Sequence, residues 1–326
     1  MPKPREQQIS LSDTSYYHVC SRVVRQAFLC GVDNYSGKSY EHRRDWVEQR
    51  IHQLADAFSI DICAYAVMHN HLHLVLHVDI EQAASWTNEE VSTRWHKLFK
   101  GTLLTQRALN QEPLKPYEAA MVESCIQEYR RRLMDISWFM RSLNEFIARK
   151  ANAEDKCTGR FWEGRFKSQA LLDEAALLSC MSYVDLNPVR AKVASTPELS
   201  DFTSIQLRIK AAINGEQPNA LIKFVGNEQK EKCKGIRFSL TDYLTLVDNT
   251  GRIVRADKRG AIDAKAQSIL NRLDISVDNW LKITTEFEQV FKRAVGSSER
   301  LSEYYDNVGL SRRHGIANSQ RWLSSG

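Results

Sequence analysis

Apolar positions along the chain fall into short alternating or continuous runs at a few places and into helical stripes between them. The stretch "SYYHVCSRVV" (15–24) is rich in aromatic and β-branched residues and predicts a strand. "IDICAYAVM" (60–68) and "HLHLVLHV" (71–78) are two further apolar runs flanking a short turn, a hairpin signal in which Asn70 tolerates an unusual backbone conformation. "GRFWEGRFKSQALL" (159–172) is a fourth strand candidate, with Arg165, Lys167 and Gln169 on one side and Trp162, Phe166 and Ser168 on the other. Helical spacing governs 41–58, where Trp46, Ile51, Leu54 and Phe58 form one stripe. It returns over the polar region 84–150, best in 124–150, where Ile126, Tyr129, Leu133, Ile136, Met140, Leu143 and Ile147 line up. Arg130, Arg131, Arg132 and Arg141 lie mostly off that stripe, as a solvated face requires. Asp173 stands as an N-cap before "EAALLSCMSYVDLN", with Glu174 in the favourable first turn, and Pro188 ends that helix.

The order strand, helix, strand, strand, helices, strand, helix predicts an α+β domain spanning 1–198, an antiparallel sheet with helices packed on one side. The character changes after "STPELSDFTS" (195–204). In the extension, 199–326, two alternating runs around "DNTG" within "DYLTLVDNTGRIVRADKRG" predict a basic hairpin carrying Arg252, Arg255, Lys258 and Arg259. Helical patterns fill 261–294 and shorter ones finish the chain, so the extension reads as α-rich with one β-hairpin, a DNA- or partner-binding segment.

Composition narrows the chemistry. A chain of 326 residues that is 43% apolar can build a sizeable core. The polar start "MPKPREQQISLSD" has no secretory h-region and no run reaches the ~18 apolar residues of a membrane helix, so a cytoplasmic, membrane-free location is expected. Seven scattered cysteines without a C-x-x-C argue against a disulfide framework and a zinc knuckle. The net charge of +5 permits an anionic partner without demanding one.

Four of nine histidines crowd into "VMHNHLHLVLH" (67–77). Residues two apart on a strand share a face, so His71 and His73 would stand about 6–7 Å apart and could converge on one divalent cation. Packing is the alternative reading of an H-x-H pair, but imidazoles interrupting an apolar strand need partners. His69 joins that face only if the strand begins early, and His77 lies ~13 Å beyond His73, outside any shared site. In "SYVDLNPVRA" (182–191), Tyr183 and Asn187 are spaced i, i+4, with Ala176, Ser179 and Cys180 in the preceding turns. Asn187 precedes a proline and so sits at a helix end. The alternative makes Tyr183 a core residue and Asn187 a C-terminal cap.

"AYAVMHNHLHLVLHV", "GRFWEGRFKSQALL" and "YVDLNPVRA", in this order, resemble the single-tyrosine HUH (IS200-like) transposases, most closely their REP-associated tyrosine transposase branch, over about residues 14–195. The resemblance implies the ferredoxin-like, RRM-like HUH nuclease fold, with Mg²⁺ or Mn²⁺ held by His71, His73 and Asn187 and with Tyr183 as the nucleophile. It implies a single-strand DNA endonuclease and strand transferase that forms a 5′-phosphotyrosine and a free 3′-OH on hairpin or repeat DNA, in DNA transposition or REP-element processing. Asparagine at 187, where mobile-element relatives carry glutamine, favours the REP-associated branch. His69 stands where the family usually has proline, serine or threonine, and is read as a fourth ligand, a phosphate contact or a turn residue without a role. Arg165 and Lys167, with Arg160 and Arg190 nearby in sequence, would line a groove for the DNA backbone. A homodimer and a nucleoid-associated location accompany this reading. Its competitors are a catalytically inactive DNA-binding regulator and another HUH enzyme such as a replication initiator or relaxase.

Overall fold

The computed structural model describes residues 8–24, 27–33, 35–226, 233–255, 262–310 and 312–323. In chain order the elements are β1 (Tyr16–Arg22), α1 (Arg43–Ala57), β2 (Ile60–Val67), β3 (His71–Val78), α2 (Ile80–Ser85), α3 (Asn88–His96), α4 (Leu103–Leu109), α5 (Pro116–Leu133), α6 (Ile136–Glu154), β4 (Lys167–Leu171), α7 (Glu174–Asp185), α8 (Asn187–Arg190), α9 (Ser204–Ile213), α10 (Leu240–Val254), α11 (Ala264–Arg272), α12 (Val277–Val290), β5 (Ala294–Val295), α13 (Ser298–Asn307) and α14 (Ile316–Trp322). The chain divides into two compact units, one made of 1–44, 62–76 and 162–326, the other of 45–61 and 77–161. Position 198 lies inside the first.

The first unit is built on a five-stranded sheet in the order β2-β3-β1-β4-β5. β1 and β4 run antiparallel, in a register that places His18 opposite Gln169. β5 is a two-residue strand added parallel to β4, so the expected antiparallel sheet gains a short parallel edge from the C-terminal region. Successive residues of β1 and β3 are buried rather than alternately exposed. A strand buried at consecutive positions is covered on both faces, not on one as the order of elements suggested. The core beneath joins β2 and β3 residues to α7, α9, α10, α11 and α12 through Val75, Leu178, Ile205, Leu246, Leu270 and Phe287.

Asp173 caps α7 as expected, its carboxylate accepting from Ala176 N at 2.9 Å. The basic hairpin expected around "DNTG" is instead the helix α10. Its buried residues Tyr243, Leu246, Val247 and Thr250 recur at i, i+3, i+4 and i+7, and this packing outweighs the turn preference of Asn249 and Gly251. Gly251 fits because a Cβ there would lie 3.2 Å from Leu186 Cδ2. Lys258 and Arg259 fall outside the described residues. β4 is shorter than its candidate stretch; Trp162, ahead of it, is held by a separate antiparallel bridge to Val23.

The second unit is helical. The stripe over 124–150 is divided between α5 and α6, because Asp135 ends one run and caps the next by accepting from Ser137 N at 2.6 Å. Trp95 stacks on Tyr129 at 4.2 Å, and Phe58 meets Phe139 edge-on. The off-stripe arginines stay on the surface or at its edge: Arg131 and Arg132 share Glu128, and Arg141 and Arg149 share Glu145. No helix among the described residues is long and apolar enough to cross a membrane.

Candidate active site

Three adjacent strands put polar side chains on one face of the sheet. His73 on β3, His18 on β1 and Gln169 on β4 form a chain across it, and all three are buried. The directions of the hydrogens follow from its far end. Gln169 Nε2 donates to the carbonyl of Phe291 at 2.7 Å, which turns Oε1 toward His18. An amide oxygen only accepts, so His18 Nδ1 carries the hydrogen of the 2.6 Å contact. His18 Nε2 is then an acceptor, and His73 Nδ1–H donates to it at 2.9 Å. His73 Nε2 is left with its lone pair, fully buried and without a partner. Burial, reinforced by the neighbouring His18 and His71, holds His73 well below the usual imidazole range. It is a neutral ring with one nitrogen fixed and the other bare, the state in which histidine binds metals.

His71 opens β3, its ring centroid 4.8 Å from that of His73 and nearly perpendicular to it. Its Nδ1 donates to Asn70 Oδ1 at 2.6 Å, which leaves Nε2 as the lone-pair nitrogen. Burial and then Arg22 push His71 down to about 4, so it too is neutral at pH 7. Two neutral imidazoles, each with its Nδ1 hydrogen anchored, fit a divalent cation.

Tyr183 reaches the same face from α7. Its ring meets His73 edge-on at 5.7 Å and His18 at 6.3 Å. On the other side it packs on Phe287 of α12 at 5.6 Å, and the Arg190 guanidinium lies 4.0 Å over it. The hydroxyl is 3.5 Å from Glu288 Oε2. Burial and then the charge of Glu288 raise the phenol above its ordinary value, and Arg190 opposes them. Asn187 is buried as the first residue of α8, past the end of α7 at Asp185, so it leaves the regular turn in which Tyr183 sits.

The remaining expected residues scatter. His69 precedes β3 rather than lying on it; its carbonyl accepts from Leu29 N and Cys30 N, and its ring lies where a Cβ on Gly31 would come within 2.9 Å. Arg190, expected along a DNA groove, donates from Nη1 to the carbonyls of Tyr183 and Thr284 at 2.9 Å each. Arg165 and Lys167 are exposed in the first unit and Arg160 in the second. Arg252 pairs with Asp248 one turn earlier on α10, and Arg255 is half-buried at its C-terminal end.

His18, Gln169 and Glu288 had no site role among the sequence-based expectations, although Gln169 was placed on the strand face with Arg165 and Lys167. His18 and Gln169 carried a usable signal, since each is a polar side chain inside an apolar strand run, the same feature that marked His71 and His73. Glu288 carried none, because a carboxylate on an amphipathic helix is ordinary.

No protein-family model matches the chain, and no curated protein matches it. A solved structure of a REP-associated tyrosine transposase bound to a REP hairpin is similar over 73% of this chain and 99% of that one, with 12% sequence identity and a TM-score of 0.38.

Proposed function

We propose that the chain is a metal-dependent single-strand DNA endonuclease and strand transferase that works through a 5′-phosphotyrosine at Tyr183, acting on hairpin or repeat DNA. The observation that carries this reading is the packing of the Tyr183 ring edge-on against His73, whose Nε2 is bare and which His71 adjoins. The sequence resemblance over 14–195 supplies the nucleic-acid substrate.

His71 and His73, with Asn187, would hold Mg²⁺ or Mn²⁺, which when bound polarises a phosphodiester and offsets the charge that gathers on it. The rest of the chemistry belongs to the side chains. A buried phenol with a raised pKa is a poor nucleophile on its own and needs an activated electrophile held in line. His18 and Gln169 keep His73 in one tautomer and one orientation, so its Nε2 faces the site without rearrangement. Tyr183 Oη forms a bond to phosphorus as the bond from phosphorus to the 3′-oxygen breaks; the phenolic proton is lost and the 3′-oxygen gains one. The phosphotyrosine keeps the phosphodiester linkage, so a second 3′-OH can reverse the step and join a new end without ATP. Tyr183 is only 7% exposed, so Phe287 and Arg190 must move aside before a polymer phosphate reaches it.

That burial also favours a second reading, in which the chain binds DNA as a regulator and does not cut. Cleavage of a labelled hairpin oligonucleotide decides between them. The nuclease reading expects cutting with Mg²⁺ or Mn²⁺, none in EDTA, and none from His73→Ala or Tyr183→Phe, while Tyr183→Phe binds the hairpin as the parent does, more weakly as salt rises. Binding without cutting under every condition would establish the regulator; cutting in EDTA would overturn the metal dependence.

A further inference from the structure

Residues 199–326 do more than cover the site, since α12 brings a carboxylate to it. Ligand atoms of His18, His73 and Glu288 all lie within 4.8 Å of one another, and among the described residues no other set of three or more His, Cys, Asp or Glu side chains comes together in this way. Independently, His73 is fully buried and its Nε2 has no hydrogen-bond partner. We propose that Glu288 is, together with His73, a direct ligand of the divalent cation, so that the C-terminal region completes the metal site. This rests on the cation-binding part of the function proposed above, not on cleavage.

The neighbours of Glu288 argue for a ligand rather than a bystander. His18 has both ring nitrogens committed, to Gln169 and to His73, so it orients the site and leaves the coordinating to others. A carboxylate 3.5 Å from the Tyr183 hydroxyl opposes both a phenolate there and an approaching phosphate. A cation bound by that carboxylate reverses the sign of the local field, which turns an obstacle into part of the machinery. Carboxylate oxygen with imidazole nitrogen also suits Mn²⁺.

The test is Mn²⁺ binding by the full-length protein, followed by calorimetry and by the Mn²⁺ paramagnetic resonance signal, without DNA. Glu288→Gln should weaken Mn²⁺ by roughly tenfold or more with an unchanged circular dichroism spectrum, and Glu288→Asp, which keeps the charge on a shorter arm, should fall between the two. Glu286→Gln on the same helix removes a carboxylate paired with Lys282 and should change the affinity less than twofold. The inference is overturned if the parent binds no Mn²⁺, if Glu288→Gln binds within twofold of the parent, or if Glu286→Gln loses as much. Glu288-dependent Mn²⁺ binding in a chain that never cuts DNA would uphold this inference and remove the nuclease reading. Cleavage by a chain whose Mn²⁺ affinity ignores Glu288 would do the opposite.

Discussion

A ring nitrogen buried with a bare lone pair sets the terms at the scale of single residues. His18, His71 and His73 all lie below the ordinary imidazole range, each first because burial disfavours its charged form. In the unfolded chain these groups titrate near ~6.5. The sign follows: between about 6.5 and 4 the unfolded chain binds protons that the folded site refuses, so stability falls as pH drops and is complete above about 6.5. The metal-free protein should therefore lose several degrees of thermal midpoint between pH 7 and pH 5, and little between pH 7 and pH 8. His71→Asn should flatten that slope, because it removes a group held at about 4. A midpoint indifferent to pH from 7 to 5 in the parent would mean that these rings are solvated and protonatable. The H-x-H pair was legible in the sequence because two polar rings interrupt Leu72, Leu74, Val75 and Leu76. Its partners in the relay were legible in kind but not in place, since only strand order β3-β1-β4 brings positions 73, 18 and 169 side by side.

At the scale of elements, the tyrosine helix is mounted on the C-terminal region. Asp185 at the end of α7 is fully buried; it accepts from Ser204 Oγ of α9 at 2.5 Å and from the Tyr243 hydroxyl of α10. Burial pushes its carboxyl up to about 6, and these hydrogen bonds oppose that rise. Arg208 of α9, also fully buried, donates to the carbonyls of Cys63 and Ile222 and stacks over Phe224, which in turn stacks on Tyr243. A buried carboxylate that loses one donor bears the desolvation cost of that lost bond. Tyr243→Phe should thus destabilise the chain by about 1–3 kcal/mol, read as a lower urea midpoint with an unchanged slope. An unchanged midpoint would mean that Asp185 finds another donor or is already neutral. The α7 boundaries were readable from Asp173 and Pro188, whereas α10 was not, because a four-residue turn signal competed with an i, i+3, i+4, i+7 stripe that only packing against Leu186 and Trp280 resolves.

Across the whole molecule, the sheet unit takes its material from both ends of the chain. Strand β1 near the start and β5 near the end belong to one sheet, and Gln169 between them reaches the Phe291 carbonyl. A reading from local patterns found the first four strands and the tyrosine helix, because each has its own period and punctuation. It could not find β5, two residues long, or the carboxylate on α12, because both owe their roles to contacts more than a hundred residues away in sequence. The proposed chemistry requires that the Tyr183 hydroxyl, and not water, displaces the 3′-oxygen of DNA. Incubating the full chain with Mn²⁺ and a hairpin oligonucleotide, digesting the product and mapping the DNA-linked peptide by mass spectrometry tests it directly. One adduct is expected, on Tyr183, joined to the 5′ end of the cleaved strand and absent from Tyr183→Phe. An adduct on another residue, or cleavage that leaves a free 5′-phosphate and no protein attached, would contradict it.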